Sequence, residues 1–389
     1  LGLFAAAPIL FPQRPFAGFC AGMFLFAAAG GLQELLLSPI LDALPIPEER
    51  KARSMSMLHS FFAWGQIFVV LATTGLLAVW GAARWQWIVL LWAAPPVAGA
   101  VLFCRVPLAR KNGGAPPLPL RALARKGVFY ALLAAIVLGG AAEVTMAQWA
   151  SAFLEKGLRL PKLAGGVWGV CFFSLMLALG RSGYAALGAR VPLHRLLIGG
   201  SGAAAVLYVV CALAQSPLLG VLACGLTGLC VSLLWPGAII LASRRIPSAG
   251  AAMFALLSAG GDVGASLGAF CVGRAADWAQ ASGTVFAGAA GESGALRAGL
   301  LLAAVFPLLC CGVHTALHCT EARGGLPAGS ERRRQARQAA GRQSHGRRTT
   351  EHRRPAAGSE PQGQRRQTAG SERQWHGKPG STGTRWRIP

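Results

Sequence analysis

Charge is what this sequence has least of. Asp, Glu, Lys and Arg make up 13% of it, about half their share in soluble globular domains. Hydrophobic residues make up 54%, and the mean hydropathy is +0.49. That combination excludes an ordinary soluble protein. Acids are rarer than bases, 14 against 37, so a carboxylate inside an apolar run carries information. None of the ten cysteines stands in a C-x-x-C pair, which removes the usual spacing of a metal or redox framework. They fall in apolar runs and read as buried small hydrophobes. An initiator Met is also missing, since the sequence opens on Leu1.

Long apolar runs are what the sequence has instead. Stretches of roughly 20 residues, enough to cross a bilayer as helices, cover 16–37, 57–80, 85–104, 128–154, 163–179, 193–214, 218–242, 249–272 and 298–317. Residues 1–12 read as the end of another. The expected fold is an all-α integral membrane protein with nine complete spans and a partial one.

The stretch GLQELLLSPILDALPIPEERKARSMSMLHSFFAWGQ, residues 31–66, sets the pattern. It starts on an apolar helix carrying Glu34, leaves that helix at Ser38-Pro39, crosses a charged loop and enters a second helix with His59 and Gln66. About 197 residues later Gly228-Leu229 answers Gly31-Leu32, and Trp235-Pro236 answers Ser38-Pro39; at an offset of 196, Met253 answers Met57 and Asp262 answers Gln66. Duplicated helical units are a signature of membrane transporters. If the second copy opens near Val128, the first is expected to open about 68 residues before Leu1, so that two helices and part of a third precede the sequence. The expected organisation is an incomplete N-terminal bundle over 1–104 (the end of helix 3 to helix 6), a cytoplasmic linker over 105–127, a six-helix C-terminal bundle over 128–319 (helices 7–12) and a disordered Arg-rich tail over 320–389.

The net charge of +23 is unevenly placed: residues 1–321 hold 21 Lys/Arg against 10 Asp/Glu, and residues 322–389 hold 16 against 4. The tail could meet anionic headgroups, yet it reads as a solvated segment, and no specific nucleic-acid partner is expected. In alternate loops, one side carries fourteen Lys/Arg, including Arg50, Arg53, Arg181, Arg190, Arg195 and Arg244, and the other carries seven, including Arg297. The side with fourteen is expected to be cytoplasmic.

Two six-helix halves joined by a basic loop resemble the major facilitator superfamily. The run GRSGYAALGARVPLHR strengthens the likeness. Its Gly180, Arg181, Gly183 and Arg190 are similar to the superfamily's short cytoplasmic loop motif, with glycines for a tight turn and arginines facing helix ends; the motif's acidic member is absent. Glu34 on the fourth helix and the run EVTMAQW on the seventh, with Glu143, Gln148 and Trp149, look like the fucose-permease-like sugar transporters. That resemblance implies alternating access and a part for the fourth-helix Glu in proton coupling.

A carboxylate in hydrocarbon is retained where it faces a cavity or a partner, and Glu34, Glu143 and Asp262 meet the condition. Glu34 and Glu143 are the expected proton-coupling groups. Gln148 offers donors and acceptors to hydroxyls, and Trp149 offers a flat apolar face; the rival reading for Trp149 is an interfacial anchor. His59 and Gln66, seven residues apart, share a helix face and join Asp262 as candidate substrate-binding residues. Gly260, Gly264 and Gly268 form a small-residue stripe, expected at a rocking interface between the halves. The expected function is proton-coupled secondary transport of a sugar or similar small polar solute in the bacterial cytoplasmic (inner) membrane, by a monomer that is not an enzyme and uses no cofactor or metal. The first rival is a drug or metabolite efflux transporter of the same superfamily, which a wide apolar cavity would favour. The second is an intramembrane lipid-linked transferase, which needs a clustered acid, base or nucleophile and a sizeable extramembrane loop; the loop over 272–298 carries no His.

Overall fold

A computed structural model describes residues 1–106, 118–187, 191–247, 249–286 and 288–323. By contacts the chain divides into a unit Leu1–Gly325 and a unit Leu326–Pro389. Residues 324–389 of the expected Arg-rich tail, residues 107–117 of the expected linker, and Arg190 lie outside the described residues, while residues 320–323, assigned to the tail, continue the last helix.

The N-terminal half comprises α1 (Gly2–Leu10), α2 (Pro15–Asp42), α3 (Glu48–Trp80), α4 (Trp85–Leu91) and α5 (Ala94–Phe103). A short α6 (Leu120–Ala124) ends the linker, with Leu123 buried. The C-terminal half follows with α7 (Gly127–Ala152), α8 (Lys162–Gly166), α9 (Phe172–Leu187), α10 (Leu193–Leu213) and α11 (Pro217–Val231). It closes with α12 (Leu234–Arg245), α13 (Gly250–Ala281), α14 (Gly291–Ala303) and α15 (Val305–Arg323). Among the described residues nine stretches are long and apolar enough to cross a membrane, and they fall where the apolar runs place them.

Local chemistry fixes the ends. Pro15 opens α2 at a position where its missing N–H costs nothing. Glu48 and Glu49 stand in the first turn of α3, where the helix dipole favours negative charge, and Gly81 closes it with φ 78°. Arg244 and Arg245 occupy the last turn of α12, the favourable end for cations. Two expectations change here. The helix carrying Glu34 does not stop at Ser38-Pro39; it runs through Pro39 to Asp42, one turn further. The helix boundaries recur at offsets of about 202 residues rather than 197, since Pro15 and Glu48 open α2 and α3 while Pro217 and Gly250 open α11 and α13. Sequences this apolar match one another in several registers, and the boundaries pick another.

The buried core lies mainly in the C-terminal half, around Leu132, Ile136, Phe173, Leu197, Tyr208, Leu234 and Leu257, with Ala52, Met55 and Ala63 of α3 joining it. Helices of the N-terminal half present Phe24, Phe68 and Val79 outward, as lipid requires and water does not allow. Three cysteines, Cys20, Cys104 and Cys319, are exposed rather than buried, and all ten are free.

The glycine stripe of α13 does not serve the seam between the halves. A methyl group at Gly260 would meet Leu133, at Gly264 the main chain of Val137, and at Gly268 Ala141 and Thr145, so the stripe seats α13 on α7 within one half. The seam is made chiefly by α3 against α9, with α2 on α13 and α3 on α12 adding to it.

Candidate functional site

A cavity of about 530 Å³ opens between the halves. From α2 it takes Gly30, Gln33, Glu34 and Leu37, spaced so that one helical face supplies all four. From α3 it takes Leu58, His59, Phe61 and Phe62. The C-terminal half contributes Glu143 and Val144 of α7, Arg181 of α9, Trp235 of α12, and Asp262 and Ala265 of α13. All three carboxylates singled out from the sequence therefore meet in one space, although the outermost two are 228 positions apart.

Small residues bring those helices together. Gly139 of α7 faces Leu234 with little room for a methyl group, and Gly140 faces Trp235 and the Gly261 carbonyl with none. That close approach holds Glu143 at the cavity wall and lays the Trp235 ring over Gly261. Tyr208 donates to the Ala142 carbonyl at 2.6 Å, fixing α7 from its other side.

Arg181 is the polar centre of the site, and it does not lie in a loop. Gly180, Arg181 and Gly183 are inside α9, which extends to Leu187, so the loop-motif reading of these three is corrected. Gly180 packs against Ser232, leaving Arg181 to turn inward, where it is 2% exposed. Its Nη2 donates to both carboxylate oxygens of Glu143 at 2.7 Å. Its Nε donates to the Ser232 carbonyl at 2.9 Å, in the break between α11 and α12, and its Nη1 to the His59 carbonyl at 3.1 Å. Ser56 donates to the Arg181 carbonyl at 2.7 Å. A guanidinium this buried needs its charge paired and its donors satisfied, and here one side chain ties α9 to α7, to the α11–α12 break and, across the seam, to α3.

The seam continues in both directions from that point. Arg53 donates through Nε to the Ala185 carbonyl at 2.6 Å and through Nη2 to that of Ala186 at 3.1 Å, meeting carbonyls the end of α9 leaves open. Trp64 donates to Ser182 at 3.2 Å. Arg297, assigned to the sparser side in the loop count, is also buried; it donates to the Ala212, Ala214 and Gly157 carbonyls, with the Phe153 ring 5.7 Å from its guanidinium carbon. Setting Arg181 and Arg297 aside leaves thirteen basic residues against six, so the expected orientation keeps its basis.

Glu34 and Asp262 differ from Glu143 in making no hydrogen bond or ion pair among the described residues, and the charges of Asp262, Glu143 and Arg181 all act on Glu34. His59 Nε2 and Trp235 Nε1 are buried without a hydrogen-bond partner. Three other candidates do not line this cavity. Gln66 accepts from Ser174 at 3.0 Å on the α3–α9 seam. Trp149 donates to the Ala269 carbonyl at 3.0 Å and packs by Gly273, pinning α7 to α13. Gln148 is exposed, and although it stands one turn beyond Val144 it is not among the residues that line the cavity. The sequence reading missed Trp235, Phe61 and Phe62; the spacing of Leu58, Phe61 and Phe62 at i, i+3 and i+4 was the available signal. Among the described residues no His, Cys, Asp and Glu cluster is arranged to hold a metal ion.

Known proteins share this architecture. The fold is similar to that of the E. coli fucose:proton symporter FucP (TM-score 0.59, 16% identity, over 81% of this chain and 80% of that one). It is similar also to that of the human organic anion transporter MFSD10 (TETRAN) (TM-score 0.60, 16% identity, over 80% of this chain and 74% of that one). No curated protein sequence matches. The family model of the Major Facilitator Superfamily matches residues 1–269, more than half of the sequence, and with two helical halves enclosing a central cavity this chain belongs to that superfamily of multi-pass membrane transporters.

Proposed function

We propose that this protein is a secondary active transporter that carries a small organic solute across a bacterial cytoplasmic membrane by alternating access, coupled to protons taken up at Glu34. The observation that carries the reading is the contrast among three acids in one cavity: Glu143 is bound to Arg181, whereas Glu34 and Asp262 stand without such a partner. Burial favours the neutral form of a carboxyl, and an acid free to accept a proton is what coupling requires. Protonating Glu143 would strand a buried guanidinium, which makes it the weaker of the two expected coupling groups.

Which solute is carried depends on the wall. A sugar reading leans on Gln66, Gln148 and Trp149 for contacts to hydroxyls and C–H faces, and none of them lines the cavity. His59, Gln33 and Asp262 are what remains for hydroxyls, beside Leu37, Leu58, Phe61, Phe62 and Trp235. That wall supports the second reading, an amphiphilic metabolite or drug-like solute, over a sugar. Reconstitution into vesicles with and without an imposed pH gradient, with uptake measured for a panel of labelled solutes, tests the proposal. A solute whose accumulation follows the gradient in the parent and ignores it in Glu34→Gln is the expected result; equal gradient dependence in both rejects Glu34 as the coupling site.

A further inference from the structure

We propose that the cavity between the halves takes an organic cation, seated between the carboxylates of Glu34 and Asp262 and the aromatic faces of Phe61, Phe62 and Trp235. The inference rests on the transporter reading of the same cavity and adds the charge of its solute.

The charge balance of the lining is the first argument. Three carboxylates and one guanidinium face this space. The guanidinium is spent, because Arg181 gives its charge to Glu143 and its remaining bonds to the Ser232 and His59 carbonyls. It therefore offers no fork to an incoming carboxylate or phosphate. Glu34 and Asp262 are left as acceptors with no ion-pair or hydrogen-bond partner among the described residues. An organic anion would enter against both and find no free cation; an organic cation would neutralise one or both.

The wall is the second argument. Phe61, Phe62 and Trp235 stand at the same cavity, and the negative face of an aromatic ring attracts a cation within about 6 Å, most strongly when water is excluded. Leu37, Leu58 and Val144 extend the apolar surface, which suits a charge carried on an organic framework better than a bare ion. Two nitrogens of lining residues, His59 Nε2 and Trp235 Nε1, are buried and find no partner in the protein. Trp235 is only 7% exposed, so its ring is held in place before a solute arrives.

The test uses a pair of isosteres that differ in sign, tetraphenylphosphonium and tetraphenylborate. Each is titrated calorimetrically into the purified full chain in detergent, with the signal of empty micelles subtracted. Tetraphenylphosphonium is expected to bind saturably at one site, at least tenfold more tightly than the borate, and both Glu34→Gln and Asp262→Asn are expected to weaken it by about tenfold. Ala265→Trp, which fills the space, is expected to abolish binding. Equal or tighter binding of the borate to the parent overturns the inference without recourse to any variant, as does an affinity for the phosphonium that neither acid substitution changes. If a neutral or anionic solute binds in a manner sensitive to Ala265→Trp while the phosphonium does not, the charge assignment falls and the transporter reading stands. If no solute of any charge is sensitive to Ala265→Trp, both fall.

Discussion

Breaking one side of the Glu143–Arg181 pair should cost far more stability than breaking a surface ion pair among the described residues, and a double-mutant cycle measures the coupling. Arg181→Met removes the charge that Glu143 faces at 2.7 Å and strands the buried Ser232 and His59 carbonyls. Breaking one side of a buried pair costs about 3–5 kcal/mol, because the other charge stays behind without compensation. Glu143→Gln keeps an acceptor oxygen within reach of Nη2 and should cost about 2–3 kcal/mol, the weight of a hydrogen bond to a charged group. The double variant buries no unpaired charge, so it should be more stable than the two single losses add up to, by about 2 kcal/mol, within the range seen for residues in contact. Equilibrium unfolding by SDS titration in mixed micelles, followed by circular dichroism, gives the four values. Lys156→Ala is the internal reference: its partner is Glu292, both side chains are about half exposed at 49% and 53%, and its loss should be the smallest of the set. Single losses that simply add, or an Arg181→Met variant no weaker than Lys156→Ala, would refute the argument that burial makes this pair matter.

Three further outcomes are expected. Gly264→Ala should lower the thermal midpoint sharply, by the equivalent of about 2 kcal/mol or more, since the new methyl group would lie 2.6 and 2.8 Å from the Val137 carbonyl carbon and Cα; Gly312→Ala, with nothing within 4 Å, should raise it slightly through helix propensity. Arg53→Ala leaves the Ala185 and Ala186 carbonyls without their partner, and a cysteine introduced at Ala52, 5% exposed in the parent, should then react several-fold faster with a membrane-impermeant maleimide; an unchanged rate would show that Arg53 does not hold this end of the seam. Gln148→Ala should leave solute binding in the cavity unchanged while Trp235→Ala weakens it at least tenfold, and the reverse order would restore the sequence-based assignment of Gln148.

Much of this architecture is legible in the sequence, for a physical reason. Lipid tolerates helices without breaks in their hydrogen bonding and tolerates little charge, so apolar runs mark the spans and their interruptions mark the loops. The same cost marks Glu34, Glu143 and Asp262, which meet at the cavity. Rotation about the helix axis is harder to read. In a segment apolar on every side, the phase of Gln66, Gln148 or Trp149 is set by which neighbour packs closest, and that is decided by glycines on other helices, such as Gly273 beside Trp149. Arg181 was misplaced because a basic residue near glycines at the end of an apolar run reads as a loop; its fit depends on a carboxylate 38 positions earlier. The expected partner of the α13 stripe was likewise misassigned, since spacing shows that a close approach exists and not which helix makes it.

The bond from Arg181 to the His59 carbonyl also divides α3 unequally. Eleven residues separate His59 from Glu48 and twenty-one separate it from Trp80, arms of about 16 and 32 Å at 1.5 Å per residue. About that point the two arms stand in a ratio near one to two. A tilt of about 10° would carry the Glu48 tip by roughly 3 Å, Arg53 by less than about 2 Å, and the Trp80 tip by roughly 6 Å. The other bonds from α3 to α9, made at Arg53, Ser56, Trp64 and Gln66, all fall within about two turns of His59, so the arm toward Trp80 reaches furthest beyond them.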